Sequence, residues 1–123
     1  MMRWIATLAL AFPAIVLAET EPEFSLCSSY VAKSEVGEQS DLGWPVFVKL
    51  TEVGIRSLEA FTEANTGKMI RIVVTDRDFM RATIWAAISG GEIHVAFEAQ
   101  EIATAWQQTL VGKLPATPCG AGE

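Results

Sequence analysis

Apolar and polar residues alternate in several short stretches of this chain, as they do in strands that bury one face. Residues 46–51 place Val46, Val48 and Leu50 on one side and Phe47, Lys49 and Thr51 on the other. Residues 68–75, 79–88 and 93–97 repeat the pattern, and residues 26–36 follow it more loosely. The alternation therefore predicts four to five strands.

Two other stretches have the helical period. Thr51 is a favourable N-cap, apolar residues then recur from Ile55 to Phe61, and Gly67 suits a left-handed C-terminal cap. Residues 98–112 carry a second apolar stripe. The order predicts an α+β fold, with a largely antiparallel or mixed sheet of four to five strands and two helices packed on one face.

The N-terminus has the layout of a secretory signal peptide. Arg3 precedes the apolar residues 5–17, and Val16 and Ala18 are small enough for the −3 and −1 positions of a cleavage site. A retained membrane anchor is the alternative, but such an apolar stretch interrupted by Pro13 is short for a bilayer. We predict a signal peptide at 1–18, a linker at 19–25, one domain at 26–112 and a tail at 113–123.

Composition narrows the classes of partner. Removal of residues 1–18 would leave 105 residues, enough for one core, and would change the formal net charge from −6 to −7 by removing Arg3. Such a charge opposes binding to nucleic acid or to anionic lipid. No second apolar run approaches the length of a membrane span. The expected location is the periplasm, with an extracellular location as the alternative.

The two cysteines, Cys27 and Cys119, stand near the two ends of the predicted mature chain. In an oxidising compartment an even number of cysteines usually indicates a disulfide. A redox pair and a metal site are alternatives, but the cysteines do not form a CxxC motif. One histidine with two distant cysteines is a poor zinc-ligand set.

Few residues are candidates for catalysis. His94 is the only histidine, lies in a predicted strand and has no partner at a defined spacing. Asp76 and Asp78 flank Arg77 in a predicted turn at residues 76–78 but lack the ligand pattern of a calcium loop. Residues 89–91, Ser-Gly-Gly, do not form a dinucleotide-binding fingerprint. We expect a protein that is not an enzyme and holds no cofactor and no metal.

The second face of the predicted sheet is unusual because aromatic and aliphatic residues alternate there with arginines in an otherwise acidic chain. Exposed apolar patches of this kind often mark interaction sites. The N-terminal segment or the tail covering this face is the alternative. The predicted binding residues are Phe47, Met69, Arg71, Phe79, Arg81 and Trp85.

Several short motifs follow one another in a defined order: Val48-Lys49-Leu50-Thr51 leading to Gly54, Phe61-Thr62, Asn65-Thr66-Gly67-Lys68, Ile72-Val73-Val74, Ile88-Ser89-Gly90-Gly91, and Phe97 leading to Glu101. In this order and spacing, residues 46–110 resemble the periplasmic head subdomain of SecD, an accessory subunit of the bacterial protein-export machinery. Three features depart from that family. The transmembrane helices of SecD have no counterpart, Glu98 stands where a threonine is usual, and the cysteines lie outside the matched region.

The resemblance implies the head fold and contact with translocating or unfolded polypeptide. We therefore expect a stand-alone, exported, non-enzymatic module that binds non-native polypeptide or an envelope protein. A disulfide-pinned structural or inhibitor domain, with residues 37–45 as a protruding loop, is the alternative function. An enzyme that uses His94 with Asp76 and Asp78 ranks third.

The first prediction concerns processing. We expect the exported chain to begin at Glu19, because Val16 and Ala18 fit the specificity of signal peptidase. Intact-mass measurement of the protein recovered from the cell envelope tests this expectation. A mass that still includes residues 1–18 would contradict both the cleavage site and the proposed release from the membrane.

Overall fold

The computed structural model describes residues 21–121, so the predicted signal peptide lies outside the described residues. These residues form seven strands and two helices. In chain order they are β1 (Glu23–Ser25), β2 (Val31–Val36), β3 (Trp44–Leu50), α1 (Glu52–Ala64), β4 (Met69–Val74), β5 (Arg77–Thr83), β6 (Glu92–Phe97), α2 (Gln100–Gly112) and β7 (Gly120–Ala121).

The α+β class is confirmed, but the strands divide into two sheets rather than one. One sheet has the order β5-β4-β1-β7 and the other the order β2-β3-β6. Strand β1 pairs in parallel with β4, and the other pairings are antiparallel. Helix α2 packs on the three-stranded sheet, whereas α1 contacts both β7 and β3. Both helices contact β3, and α1 also reaches β7 of the other sheet.

The N-terminal part of the domain differs most from the sequence expectation. Residues 23–25, predicted as linker, form β1 at the centre of a sheet, and the predicted strand 26–36 is interrupted by a turn at residues 28–30. Phe24 is fully buried and faces the core, where its ring lies 5.2 Å from that of Phe61. Such a short strand lacks enough alternation to be detected from sequence, and its position depends on packing.

The helix ends follow local chemistry. The Thr51 hydroxyl accepts a 3.2 Å hydrogen bond from the backbone N–H of Gly54, which confirms the predicted N-cap. Gly67 has a φ of 87°, in the left-handed region that suits glycine. The N-cap of helix α2 is Ala99, and no side chain caps this helix end. Glu98, which stands where SecD-like chains usually have a threonine, therefore does not act as a cap.

The segment between β5 and β6 is irregular but held in place. The predicted strand 79–88 ends at Thr83. Buried Thr62 on α1 donates through its hydroxyl to the carbonyl of Leu58 and accepts from the backbone N–H of Ile88, both at 2.8 Å. A single threonine thus links this segment to α1.

Cys27 and Cys119 form the predicted disulfide, with their Cα atoms 5.2 Å apart. The bond brings the C-terminal tail back to the start of the domain. The backbone N–H of Ser28 donates to the carbonyl of Pro115 at 2.9 Å, and β7 pairs with β1. Across residues 21–121, no helix is both long enough and apolar enough to cross a membrane.

The second prediction concerns this disulfide. Replacing Cys27 and Cys119 by serine should lower the free energy of unfolding by about 4 kcal/mol, because the bond closes a loop with a sequence separation of 92. Urea denaturation of the variant and of the oxidised wild type measures the difference. Equal stabilities would show that β7 and the tail hold their positions without the covalent link.

Candidate functional site

The outer face of β4 and β5 carries the candidate site. Ile70 and Ile72 of β4 are fully buried on the inner side, so Met69 and Arg71 point outward. The β4–β5 register places Met69 opposite Thr83 and Arg71 opposite Arg81. We call these four residues the arginine face. Met69 is 36% exposed and Arg81 is exposed, so an apolar and a cationic group lie together at the surface.

Trp85 lies two residues beyond the end of β5 and is 78% exposed. The backbone before it is firmly held. Ile84 is buried, its N–H donates to the carbonyl of Lys68 at 3.0 Å, and its carbonyl accepts from the N–H of Gly67 at 2.6 Å. Ile88, three residues further on, is bonded to Thr62. The segment that carries Trp85 is therefore attached on both sides of the indole.

Carboxylates from the N-terminal segment cover the two arginines of the arginine face. Glu21 accepts a 2.9 Å hydrogen bond from Nε of Arg81 and a second, shorter one from its Nη2. Arg71 pairs with Glu23, its neighbour in the β1–β4 register, and donates to Asp78 at 2.7 Å. The alternative considered from sequence, that the N-terminal segment covers this face, is thus true of the arginines but not of Trp85.

The guanidinium of Arg81 holds the pKa of Glu21 below its usual range, chiefly through the hydrogen bonds between them. A carboxyl group whose pKa is lowered by folding stabilises the folded state above its ordinary pKa. That stabilisation is lost as the pH falls through the lowered value. The link between the N-terminal segment and the arginine face is therefore complete at neutral pH and weakens only in acid.

The prediction that Phe79 belongs to the binding face is wrong. Phe79 is 3% exposed, and its ring lies 5.2 Å from Trp106 and 6.0 Å from Phe97. The cause is a register shift in the β4–β5 pair, where Ile72 opposes Met80 but Val73 opposes Asp78, which leaves Phe79 as the extra residue. The bulge turns Phe79 into the core.

The structure also separates Phe47 from the other predicted residues. Phe47 lies on β3, in the middle of the three-stranded sheet, whereas Met69, Arg71 and Arg81 lie on the four-stranded sheet. Its ring is half-buried and 5.4 Å from that of His94, its register partner on β6. The candidate site is therefore reduced to Met69, Arg71, Arg81 and Trp85.

The residues considered for catalysis do not come together. His94 is exposed beside Phe47, and within residues 21–121 it makes no hydrogen bond to a carboxylate. Asp78 is paired with Arg71. The turn lies at Thr75 and Asp76, both with positive φ, whereas Arg77 and Asp78 of the predicted turn 76–78 begin β5. In the part of the chain that the structure describes, no three His, Cys, Asp or Glu residues are grouped as a metal site.

Glu21 and Glu23 are the site residues that sequence reasoning missed. Their position in an acidic stretch with Pro22 suggested a solvated linker. The sequence indicates this pairing only through the opposite charges of the glutamates and of Arg71 and Arg81. Opposite charge alone does not identify partners that are 48 and 60 positions apart in the chain.

Two of the solved structures that share this fold are of SecDF. One is described as a membrane component that enhances protein export, and the other as SecDF in a super-membrane-facing form. Each matches with a TM-score of 0.64 and 23% identity over 78% of this chain. The match covers 44% of the first SecDF chain and 13% of the second, so this chain spans less than half of either.

No protein-family model and no curated protein sequence matches the chain. The similarity to SecDF therefore shows a SecD/SecDF-like fold. It leaves the activity of this chain to be argued from its own residues.

The third prediction tests the corrected position of Phe79. Phe79→Ala should lower the free energy of unfolding by about 3–5 kcal/mol, because it removes a buried ring from contact with Trp106 and Phe97. Met69→Ala is the matched control on the next strand and should cost much less, since Met69 is 36% exposed. Chemical denaturation measures both. Similar small losses would place Phe79 at the surface instead.

Proposed function

We propose that this protein is an exported, non-enzymatic binding module with the SecD-head fold, and that it contacts non-native polypeptide or an envelope protein through Met69, Arg71, Arg81 and Trp85. The observation that carries the proposal is the exposure of Trp85 on a segment that is attached on both sides. Burial of an indole is strongly favourable, so a tryptophan that is 78% exposed on a held backbone is available to a partner.

Attachment of this segment favours binding. A flexible loop would lose conformational entropy when its side chains became immobilised against a partner. The hydrogen bonds of Ile84 to Gly67 and Lys68, and that of Ile88 to Thr62, have already restricted the backbone around Trp85. Trp85 can therefore bury its ring with little additional ordering.

The surrounding residues suit an extended or unfolded chain. Tryptophan and arginine are the residue types that most often dominate binding energy at protein interfaces. Methionine adapts to different side chains because it is unbranched and flexible. The arginine face thus offers apolar contact to ligand side chains of different shapes, together with cationic groups that attract carboxylates.

The fold and the disulfide support the proposed location. A stable disulfide is expected in an oxidising compartment such as the bacterial periplasm. The SecDF structures that share the fold belong to a component that enhances protein export. An exported module that meets polypeptides in the envelope agrees with both observations.

One observation favours the alternative of a structural or inhibitor domain. Ser40 and Gly43 exchange backbone hydrogen bonds of 2.8 and 3.0 Å, which close a tight turn with Leu42 at its tip, 83% exposed. A rigid hairpin of this kind can insert an apolar side chain into a partner. The turn offers one apolar group, however, whereas the arginine face combines apolar and cationic groups.

The fourth prediction separates these two surfaces. Trp85→Ala should weaken binding to a reduced and alkylated protein that cannot refold by about 1–3 kcal/mol, with a smaller change in the stability of this chain. Fluorescence anisotropy of the labelled unfolded protein measures the affinity, and thermal unfolding measures the stability.

Leu42→Ala is the matched control, because Leu42 is similarly exposed, at 83% against 78%, and lies in the loop between β2 and β3. The proposal expects it to leave the affinity unchanged. Loss of binding in Leu42→Ala but not in Trp85→Ala would favour the hairpin. A large loss of stability in Trp85→Ala, with unchanged binding per folded molecule, would rule out the site.

A further inference from the structure

The two arginines of the arginine face are not held equally. Arg71 is paired with Glu21, Glu23 and Asp78, and its side chain is 25% exposed. Arg81 has Glu21 as its only ion-pair partner among residues 21–121, and its side chain is 57% exposed. Arg71 is therefore fixed within the fold, whereas Arg81 can exchange its carboxylate.

Glu21 binds Arg81 as an acidic ligand would. Its two oxygens meet Nε and Nη2 of one guanidinium, the bidentate geometry by which arginine recognises carboxylates. Exposed ion pairs contribute little net stability, because both groups are well solvated when apart. A carboxylate from another molecule can thus replace Glu21 at small cost.

Displacement of Glu21 would leave the core intact. Glu21 precedes β1, and the residue between them, Pro22, accepts a 2.9 Å hydrogen bond from the backbone N–H of Arg71. Phe24 and the pairing of β1 with β4 lie beyond that point. Only the side chain of Glu21 has to move to free Arg81, and the movement also breaks its 3.8 Å contact with Nε of Arg71, which keeps Glu23 and Asp78.

We propose that the polypeptide ligand of the arginine face places a carboxylate on Arg81 in competition with Glu21, and that the preferred segment is extended and combines an acidic residue with nearby apolar residues. This inference rests on the function proposed above. It adds that the ligand carries a carboxylate, and that Glu21 of the same chain competes with this carboxylate for Arg81.

The spacing of the face defines the segment. Thr83, the register partner of Met69, lies two residues beyond Arg81, and Trp85 lies two residues beyond Thr83. Along an extended chain, positions two apart are about 6.5–7 Å from each other and share a face. A segment with an acidic residue and an apolar residue two positions away therefore matches Arg81 and Met69, and a second apolar residue further along would lie toward the end of β5, which Trp85 follows.

Two fluorescent peptides that differ at one position test the inference. One has glutamate followed by leucine at the second and fourth positions after it, and the other has glutamine in place of the glutamate. Anisotropy titrations with wild type at low salt should give about threefold tighter binding of the glutamate peptide. Arg81→Gln should abolish this preference.

Glu21→Gln removes the competitor. It should tighten binding of the glutamate peptide by about three- to fivefold and leave the glutamine peptide unchanged. Glu35→Gln is the control, because Glu35 pairs with exposed Lys33 on β2, outside the arginine face. It should change the affinity for neither peptide.

The other outcomes are distinct. Binding of both peptides without preference in wild type and Glu21→Gln would overturn the carboxylate inference but leave the proposed function standing. Equal tightening of both peptides in Glu21→Gln would also overturn it, since Glu21 would then act only as a steric cover. Failure of both peptides to bind any variant would overturn the inference and the proposed function together.

Discussion

The burial of Phe24 is the contact on which the rest of the domain depends. Phe24 is the central residue of a three-residue strand, and it is fully buried against Phe61 and Tyr30. Its position places β1 between β4 and β7. Cys27 follows Phe24 by three residues and is thereby placed next to Cys119. Glu21 and Glu23 precede Phe24 in the chain and reach the arginines of β4 and β5. One apolar side chain thus aligns the sheet, the disulfide and the cover of the candidate site.

On the outer face of the four-stranded sheet, exposed apolar groups lie beside charged ones. Met69 lies two residues from Arg71 on β4, Trp85 follows the strand that carries Arg81, and the two arginines are paired with carboxylates. Exposed apolar edges favour aggregation, and neighbouring charges oppose it. Because Arg81 is exposed and has Glu21 as its one ion-pair partner within residues 21–121, this pair neutralises part of the face at little cost and remains exchangeable, whereas Arg71 is fixed by its three partners. These properties agree with the binding role proposed for this face.

The SecD/SecDF-like fold matches 78% of this chain, a larger part than the residues whose motifs resemble SecD. The motifs that resemble SecD lie between residues 46 and 110, whereas β1, β7 and the disulfide come from the segments before and after them. In a small domain the surface left exposed is large relative to the core, so a covalent link between the termini is of particular value. A shared fold does not carry its function with it, and the proposed role therefore rests on Trp85 and the arginine face.

Local sequence determined those parts of the structure that depend on neighbouring residues. The alternation at Val46, Val48 and Leu50, the Thr51 cap and the helical stripe through Leu58 and Phe61 are all present as predicted. So is the pairing of the two cysteines, because only two were available. In each case a short-range rule or a simple count was sufficient.

The remaining features were decided by tertiary structure. Phe79 faces the core because a bulge shifts the register by one residue, and a shift of one reverses the face of a side chain. Phe47 is separated from the arginines because the strands divide into two sheets, which alternation within single strands cannot reveal. Glu21 meets Arg81, 60 positions away, because buried Phe24 brings the acidic segment alongside β4. The sequence determined which residues alternate and where helices begin, whereas long-range packing decided which side chains meet, since that depends on contacts between residues far apart in the chain.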